Sequence, residues 1–349
     1  MKKITAFAGG RIDFAGGWGD GCTLIDPKGE YVLGRVCNVG LELGSQVEIT
    51  SFENEGVHIV CNGFDEILNE EMDYGGDLDL FLAAIKRFGL NGLEIKAHSH
   101  IPYGSGLGGS AAMAVPLTAA IFYAIDFSFR KKAKDGPLPY ALKEKIAEEA
   151  RALEIEEMDI SSGWQDQWAA AFGGVNYIYA ENDPQKPKRE EIFNDKKSNK
   201  ALENNLLLVY TPKNKKTRRS SSAQHKNVQK IAKLELLSDI ARQGEKAQTA
   251  LRKLDFKILG QVVFQAWETI KQFTNNSASS AQIDWLIKKT MDYGAYGAKA
   301  CGAGGPGTCV VIIANKKTQD KIKKMIVKKQ GYKILPVKIS TLGLQVGEN

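Results

Sequence analysis

The sequence predicts an α+β protein, and this prediction rests on three observations. Residues 45–52 and 57–61 alternate apolar and polar side chains, as half-buried strands do. Residues 110–127 form a long apolar run of mostly small side chains, which favours a buried helix. From residue 206 onward the predicted order is strand, several helices, strand, helix and strand, which is typical of an antiparallel sheet covered by helices.

The other elements of the first half flank a glycine-rich turn. Residues 93–100 alternate as a strand does and lead into that turn. Pro116 falls in the second turn of the helix predicted at 110–127, where it removes one backbone donor and either kinks the helix or marks its first turn. Residues 138–154 predict an amphipathic helix, because apolar residues recur there at helical spacing. Its apolar stripe consists of Leu142, Ile146, Ala150 and Leu153.

The second half follows the most polar segment of the chain. Residues 181–200 are rich in charge, Asn and Pro, which predicts a surface loop near a domain boundary. We therefore expect two domains, at residues 1–200 and 201–349. Strands are predicted at 206–210, 308–314 and near 332–339, with helical segments up to about residue 293 and a further helix at 317–329.

Composition argues against several classes of protein. The 349 residues are 43% hydrophobic and 25% charged, which is enough for well-formed globular cores. The net charge of +6 is mild, and the basic residues form no stripe with interleaved aromatics, so a nucleic acid is not the expected partner. The five cysteines are scattered without a C-x-x-C pair, which argues against a disulfide framework and a structural zinc site.

Hydropathy gives no indication of a membrane partner. No apolar run approaches the roughly 20 residues that a membrane span needs. The first 14 residues contain two lysines but lack the apolar core of a signal peptide. These observations predict a cytoplasmic protein.

The most informative segment is the glycine-rich turn at residues 102–113, PYGSGLGGSAAM. Its glycines allow the main chain to approach a ligand closely. The helix that begins near Ser110 presents unpaired N–H groups and the positive end of its dipole, which suits a phosphate group. The Ser110 hydroxyl can cap this helix or reach a metal ion. An ordinary capped turn is the alternative for this segment taken alone.

The same turn contains a weak dinucleotide fingerprint. Gly104, Gly106 and Gly109 satisfy G-x-G-x-x-G, so a dinucleotide-binding oxidoreductase is one alternative. That motif needs a second parallel strand that ends in an acidic residue. Here Asp126 lies within the helical run itself and the basic segment 130–134 follows, so the required context is missing.

Two acidic residues are candidates for catalysis and metal binding. Asp166 precedes an apolar stretch and a glycine pair, so we expect its side chain to face a cleft rather than lie on the surface. Phosphoryl transfer needs a group that orients the acceptor hydroxyl and takes its proton, and a carboxylate can do so. Glu154 lies twelve positions earlier, on the flank of the apolar stripe. A surface charge at the end of a helix is the alternative for Glu154.

Two more glycine-rich segments complete the pattern. In residues 9–20, GGRIDFAGGWGD, the fixed charge of Arg11 can stabilise a transferred phosphoryl group and lower the pKa of Asp166. Asp20 can accept hydrogen bonds from sugar hydroxyls. Residues 297–308, GAKACGAGGPGT, form a loop before a strand. A turn with a surface salt bridge and a hairpin turn are the respective alternatives.

These segments together resemble the GHMP kinases, which include galactokinase, homoserine kinase and mevalonate kinase. Their phosphate loop has the form P-x-x-x-G-L-G-S-S-A-A, and this chain departs from it where Gly109 replaces the first Ser. The resemblance implies that the loop wraps the phosphates of ATP and that Ser110 binds Mg²⁺. The implied ATP-binding residues are Pro102, Gly104, Ser105, Gly106, Leu107, Gly108, Gly109, Ser110 and Ala111.

The resemblance also implies roles for the acidic and N-terminal residues. Asp166 would be the catalytic base assisted by Arg11, and Glu154 would bind the metal, with Glu148 and Glu149 as competing candidates. Pro306 departs from the family's third motif, G-A-G-x-G-G, and stiffens that loop. The candidates for binding the acceptor are Gly17, Trp18, Asp20 and Gly304.

The phrases RIDFAGGW and DQWAAAFGG place the resemblance nearest to the D-glycero-D-manno-heptose 7-phosphate kinase and fucokinase branch. It implies a ribosomal protein S5 domain 2-like N-terminal domain, a ferredoxin-like C-terminal domain, and a sugar or sugar-phosphate acceptor. Arg218 and Arg219 would contact a phosphate on that acceptor, and a solvated basic loop is the alternative. A catalytically silent sensor of nucleotide or sugar is the alternative function. The sequence leaves open the acceptor and the choice between monomer and homodimer.

Overall fold

The computed structural model describes residues 1–20, 25, 32–134, 136–159, 162–212 and 231–348, with the side chains of residues 231 and 232 left out. Two sheets and the helices that cover them make up this part of the chain, which confirms the α+β class. The strands are β1 (Ile4–Ala15), β2 (Arg35–Ser51), β3 (Val57–Cys61), β4 (Phe64–Leu68), β5 (Leu93–Ser99), β6 (Val175–Tyr179), β7 (Lys188–Phe193), β8 (Leu206–Tyr210), β9 (Gly297–Ala300), β10 (Cys309–Ile313), β11 (Lys333–Leu335) and β12 (Gln345–Glu348).

The described helices are numbered along the chain, as the strands are. A short π-helical turn, Leu153–Glu157, directly continues the fourth of them. The helices are α1 (Asp79–Phe88), α2 (Gly109–Ile125), α3 (Phe127–Lys134), α4 (Tyr140–Ala152), α5 (Gln165–Phe172), α6 (Lys196–Asn205), α7 (Ile231–Arg252), α8 (Phe256–Phe273), α9 (Ala281–Asp292) and α10 (Lys316–Val327).

The larger sheet has eight strands and is built around the long strand β2. Its order is β12-β1-β2-β5-β3-β4, with β6 paired to β2 and β7 to β6. The pairing is antiparallel except between β3 and β5. The β1–β2 ladder shifts register between Gly9 and Arg11 and again between Asp13 and Ala15. Since such bulges redirect side chains, they set the direction of Arg11 and Asp13.

The smaller sheet has four antiparallel strands in the order β11-β8-β10-β9. All four lie beyond residue 200, whereas β12 returns to pair with β1 in the larger sheet. One apolar cluster joins the two halves, because it contains Ile12 and Val39 from the larger sheet together with Leu208 and Val311 from the smaller one. The division of the chain at residue 200 stays a prediction.

Helix α2 lies at the centre of the first half and packs against β1, β2, α4 and α5. Nearly every one of its side chains from Ala111 to Ile121 is buried, as expected of a helix that is apolar all round. Pro116 lies within the helix, as the sequence predicted. The helix is shorter than expected, because it ends at Ile125 and Asp126 accepts the N–H of Phe129 to start α3.

The predicted strands 45–52, 57–61, 93–100, 206–210 and 308–314 are confirmed to within a few residues, and the strand near 332–339 shrinks to β11. The surface loop predicted at 181–200 is wrong in part. β7 pairs with β6 there, and the Asp195 side chain caps α6 by accepting the N–H groups of Lys197 and Ser198. Local polarity concealed both elements, since neither depends on a strong apolar pattern.

None of the helices among the described residues has, by itself, the length and apolar character needed to cross a membrane. Helices α2 and α3 meet those criteria only when counted together, and they are bent by 108° relative to one another.

Gly40 of β2 keeps helix α5 close to the sheet, and replacing it tests that packing. A Cβ at this position would lie 2.8 Å from the Gly173 Cα and 3.2 Å from the Ala169 carbonyl oxygen, both backbone atoms. We expect Gly40→Ala to lower the free energy of unfolding by about 1–3 kcal/mol through overpacking, measured by urea denaturation.

The matched control is Gly347→Ala in β12, where a Cβ would meet nothing within 4 Å. We expect that variant to stay within about 0.5 kcal/mol of the wild type. Equal stability of the two variants would contradict the close approach of α5 to β2.

Candidate active site

A buried arginine and a partly exposed aspartate form the centre of the candidate site. Arg11 Nε donates to Asp166 Oδ1 at 2.8 Å and Arg11 Nη2 donates to Oδ2 at 3.0 Å. The side chains are 5% and 28% exposed, so the carboxylate is the member of the pair that faces open space. Burial opposes the charge of Arg11, but the carboxylates of Asp166 and Asp13 outweigh it and raise the pKa of the guanidinium.

The glycine-rich turn brings this pair to the start of helix α2. Gly108 is the N-cap, with φ of +69°, and a Cβ there would lie 3.2 Å from Asp166 Oδ2. Arg11 also donates its backbone N–H to the Leu107 carbonyl and its Nη1 to the Gly106 carbonyl. No side chain caps α2 within the described part of the chain, so its first N–H groups are available to an anion.

The structure brings Ser110 and Glu154 together, as the sequence predicted. The Ser110 hydroxyl donates to Glu154 Oε1, and the carboxylate is only 5% exposed. Burial raises the pKa of Glu154, while the hydrogen bonds from Ser110, Ser162 and Gln167 partly offset that rise. Gln167 Nε2 donates to Glu154 Oε2 at 2.6 Å and so fixes the direction of the carboxylate.

The competing glutamates lie elsewhere. Glu148 is exposed on α4, and Glu149 pairs with Arg87 at 3.0 Å. Neither has a hydrogen bond to Ser110, so the geometry supports Glu154 over both. Among the residues that the structure describes, no three His, Cys, Asp or Glu side chains lie close enough to hold a metal ion by themselves. A cation here would need Ser110, Glu154 and oxygens supplied by a ligand.

Asp20 caps helix α5 from a distant loop. Its Oδ2 accepts the backbone N–H groups of Trp164 at 3.0 Å and Gln165 at 3.1 Å. Among the described residues, its Oδ1 accepts one long bond of 3.3 Å from Gln165 Nε2. Burial raises the pKa of Asp20 from 3.8 to about 6, the bond from the Gln165 N–H lowers it, and the charges of Asp166 and Asp13 add to the rise. Oδ1 therefore keeps capacity for a further donor.

The loop that leads to Asp20 contacts both halves of the molecule. Gly16 has φ of +96° and lies against the Arg35 carbonyl, and Gly17 lies against the side chains of Asp13 and Gln165. Trp18 has φ of +82°, unusual for a large side chain, and its ring lies 5.9 Å from that of Phe273 in α8. Gly17 and Asp20 thus both lie beside Gln165, the residue before Asp166, whereas Trp18 packs against α8.

The late glycine run lies against the phosphate loop, although not through the residue that the sequence singled out. Ser105 O accepts the Cys309 N–H at 2.7 Å and the Thr308 hydroxyl at 3.0 Å. A Cβ on Gly302 would lie 3.0 Å from the Gly106 Cα. Gly304, with φ of +72°, instead packs on the Ala278 carbonyl, so its role toward the acceptor stays a prediction.

Arg218 and Arg219 lie outside the described residues, so their role also stays a prediction.

Other residues of this region were not predicted from the sequence. Asp13 and Lys299 form a buried pair, with Lys299 Nζ 2.6 Å from Asp13 Oδ2, and Gln165 and Gln167 flank Asp166. The sequence offered two weak signals for this pair. Lys299 is a charged residue among small ones in β9, and Asp13 lies two residues after Arg11 in β1.

The order of helices and strands after the glycine-rich turn argues against the dinucleotide-binding alternative. α2 is followed by α3 and α4, and the next strand, β6, pairs antiparallel with β2. The parallel strand that the dinucleotide fingerprint requires after its helix is therefore not in that place.

Two family models match this chain. The model of the GHMP kinase N-terminal domain matches residues 79–174, and that of the GHMP kinase C-terminal domain matches residues 247–333. The chain belongs to the GHMP kinase family. The first match contains the phosphate loop, Glu154 and Asp166, and the second contains the strand with Lys299.

Three characterised relatives cover most of this GHMP kinase at low identity. D-glycero-alpha-D-manno-heptose 7-phosphate kinase of Campylobacter jejuni is 26% identical, over 95% of both chains. L-fucokinase/L-fucose-1-P guanylyltransferase of Bacteroides fragilis is 26% identical over 90% of this chain but only 35% of its own length. Galactokinase of Pyrococcus furiosus is 24% identical over 91% of both chains.

Two solved structures share the fold. A sugar kinase structure from Campylobacter jejuni aligns with a TM-score of 0.75 at 22% identity, over 100% of this chain and 99% of its own. D-glycero-D-manno-heptose 1-phosphate kinase of Bacteroides thetaiotaomicron aligns with a TM-score of 0.72 at 19% identity, over 99% of both chains. These alignments confirm the two-domain GHMP kinase architecture. The family models and the relatives confirm the expected class of enzyme, a sugar-kinase phosphotransferase.

The raised pKa of Asp20 predicts a pH-dependent effect of removing its charge. Between its unfolded and folded pKa values the folded wild type binds more protons, so its stability falls as pH rises from about 4 to about 7. The Asp20→Asn variant has no titrating group at this position, so its stability does not fall in this way. We expect the stability of the variant relative to wild type to increase over that window by up to about 3 kcal/mol, measured by urea denaturation at each pH.

Asp195→Asn is the matched control, because Asp195 also caps a helix but has a lowered pKa, chiefly through its hydrogen bonds with Ser198. Its contribution to stability is present above its unfolded pKa and is lost as pH falls, so the relative stability of this variant should decrease with rising pH. A slope of the same sign for both variants would contradict the buried setting of Asp20.

Proposed function

We propose that this GHMP kinase transfers the γ-phosphoryl group of ATP to a hydroxyl group of a sugar or sugar phosphate. One observation carries the proposal: the Asp166 carboxylate lies beside Gly108, at the uncapped N-terminus of α2, while Arg11 holds it in a two-point hydrogen bond. An anion-binding helix end and a carboxylate that can take a proton thus share one small volume.

The chain's own groups would divide the reaction between binding and proton transfer. The amide groups at the start of α2 and the glycine-rich turn would hold the phosphates of ATP. Asp166 would orient the acceptor hydroxyl and take its proton as the bond to phosphorus forms. Arg11, already charged and fixed, would offset negative charge near the transferred group without reorganising.

Mg²⁺ would bind at Ser110 and Glu154. A hydroxyl and a carboxylate in direct contact suit a cation that takes few protein ligands and completes its shell with phosphate oxygens and water. When bound, it would neutralise charge on the phosphates. Gln167 would keep the carboxylate directed toward Ser110.

The acceptor side is formed by the loop at residues 16–20. Among the described residues, Asp20 Oδ1 accepts one long bond from Gln165, and a carboxylate oxygen can accept a further donor such as a sugar hydroxyl. Heptose 7-phosphate is our first candidate acceptor, since the alignment with the Campylobacter jejuni heptose 7-phosphate kinase covers 95% of both chains. Fucose and galactose are the second candidates, because relatives named for those sugars match at similar identity.

The test is release of ADP by purified protein with ATP, Mg²⁺ and a panel of acceptors: heptose 7-phosphate, heptose 1-phosphate, fucose, galactose, mannose and mevalonate. We expect turnover with one or more sugars and none with mevalonate. Turnover with mevalonate alone would contradict the acceptor class. A protein that binds ATP but turns over none of these acceptors would favour the silent sensor instead.

Replacing the proposed base gives a second test. We expect Asp166→Asn to lower kcat by about 10²–10⁴-fold, because the amide can still accept a bond from Arg11 but cannot take a proton. Steady-state kinetics with the best acceptor measure the effect, and a melting curve checks that the variant is folded.

The control is Asp320→Asn on the exposed face of α10, where the carboxylate forms a surface ion pair with Lys316 at 3.3 Å. Its kcat should equal that of the wild type. Near-normal turnover by Asp166→Asn would show that another group takes the proton.

A further inference from the structure

A buried ion pair lies beside the acceptor loop, and the proposed reaction gives it no role. Lys299 Nζ lies 2.6 Å from Asp13 Oδ2 and donates to the Asp13 carbonyl at 3.1 Å. The two side chains are 0% and 1% exposed. Removing both charges from water is costly, and an apolar pair of similar volume is often at least as stable. Stability alone is therefore a weak reason for this pair.

The pair connects the two sheets. Lys299 lies on β9 of the smaller sheet, and Asp13 lies on β1 of the larger sheet, two residues after Arg11. The β1–β2 ladder shifts register on both sides of this segment, so regular strand pairing does not fix it fully. Lys299 thus supplies a point of attachment, from the other sheet, where β1 leaves its regular path.

Asp13 in turn contacts the acceptor loop. Gly17 lies directly against Asp13 Oδ2, and a Cβ on Gly17 would lie 2.9 Å from Gln165 Nε2. Gln165 then donates to Asp20. A continuous set of contacts therefore runs from Lys299 through Asp13 to Gly17, and from Gly17 to Gln165 and Asp20.

The surroundings of the second carboxylate oxygen of Asp13 show why the position of this side chain depends on Lys299. Asp13 Oδ1 is buried and has no hydrogen-bond partner among the described residues. Within the described part of the chain, the carboxylate is thus held through Oδ2, and Lys299 is the charged group bonded to that oxygen. Arg11 also interacts electrostatically with Asp13, but its guanidinium is hydrogen-bonded to Asp166. Without the ammonium group, Oδ2 would therefore lose the cation that is bonded to it and holds it against Gly17.

We propose that Lys299 is a positioning residue for the acceptor loop, and that it acts through Asp13 to place Gly17 and Asp20 for binding of the sugar. The inference rests on the proposed kinase function and deepens it. The hydrogen bonds of Lys299 go to Asp13 and not to the phosphate loop, where the nucleotide would bind. Loss of the pair should therefore weaken acceptor binding and leave ATP binding unchanged.

The test compares Lys299→Met with the double variant Asp13→Asn/Lys299→Met. The single variant leaves a buried carboxylate without its partner, so it should melt at a lower temperature. The double variant removes both charges at similar volume and should recover much of that loss. We expect its KM for the acceptor to stay raised by about tenfold, with kcat and the KM for ATP within about twofold of wild type.

The matched control is Lys338→Met, which makes the same exchange in the exposed pair with Glu42 at 2.7 Å. All its kinetic constants should match the wild type. Recovery of the acceptor KM together with melting temperature in the double variant would overturn the proposal, since the pair would then serve stability only. An equal rise in both KM values, or failure of the double variant to fold, would overturn it too.

A wild type without turnover on any acceptor would instead mean that the proposed function fails. Crystal structures of the wild type and the double variant separate the two questions, because they need no activity. We expect residues 16–20 to be displaced in the double variant while the phosphate loop stays in place. An unmoved loop would overturn the positioning role.

Discussion

The arrangement of the site depends on one interaction, the two-point hydrogen bond between Arg11 and Asp166. It joins β1 to helix α5 across 155 positions of sequence. Without Asp166, the buried guanidinium of Arg11 would lose this partner for its charge, which is energetically costly. Arg11 also holds the Gly106 and Leu107 carbonyls, so the same residue fixes the phosphate loop. The proposed base and the anion-binding helix end therefore share one anchor.

Close backbone approach makes this arrangement possible. The turn before α2 packs against the late glycine run through Ser105, Thr308 and Cys309, and Gly108 leaves room for the Asp166 carboxylate. Side chains at these glycines would separate the two halves of the site. The glycine runs thus bring strands of different sheets and the start of one helix into a single small volume.

Charge is concentrated in the site at a cost to folding. Glu154 and Asp20 both have raised pKa values because burial disfavours their ionised forms. Two buried cations lie in the same region, but each is bonded to another carboxylate, Arg11 to Asp166 and Lys299 to Asp13. Such perturbed carboxylates are typical of functional sites, because a fold selected only for stability would avoid them. The Lys299–Asp13 pair also links the smaller sheet to β1, the strand that carries Arg11.

The sequence by itself determined the α+β class, the main core strands and the buried helix α2, because each depends on a periodicity that one segment carries alone. The association of Ser110, Glu154, Arg11 and Asp166 with one site came from the resemblance of their motifs to those of GHMP kinases. Tertiary structure decided the pairing of β12 with β1, the elements hidden in 181–200, the packing of Gly304 away from the phosphate loop, and the Asp13–Lys299 pair. The β12–β1 pairing and the Asp13–Lys299 pair depend on which distant segment supplies the partner, since an ion pair between residues 286 positions apart leaves no local pattern in either segment. The elements within 181–200 depend instead on the pairing of β7 with β6 and on the Asp195 cap, neither of which produces an apolar periodicity.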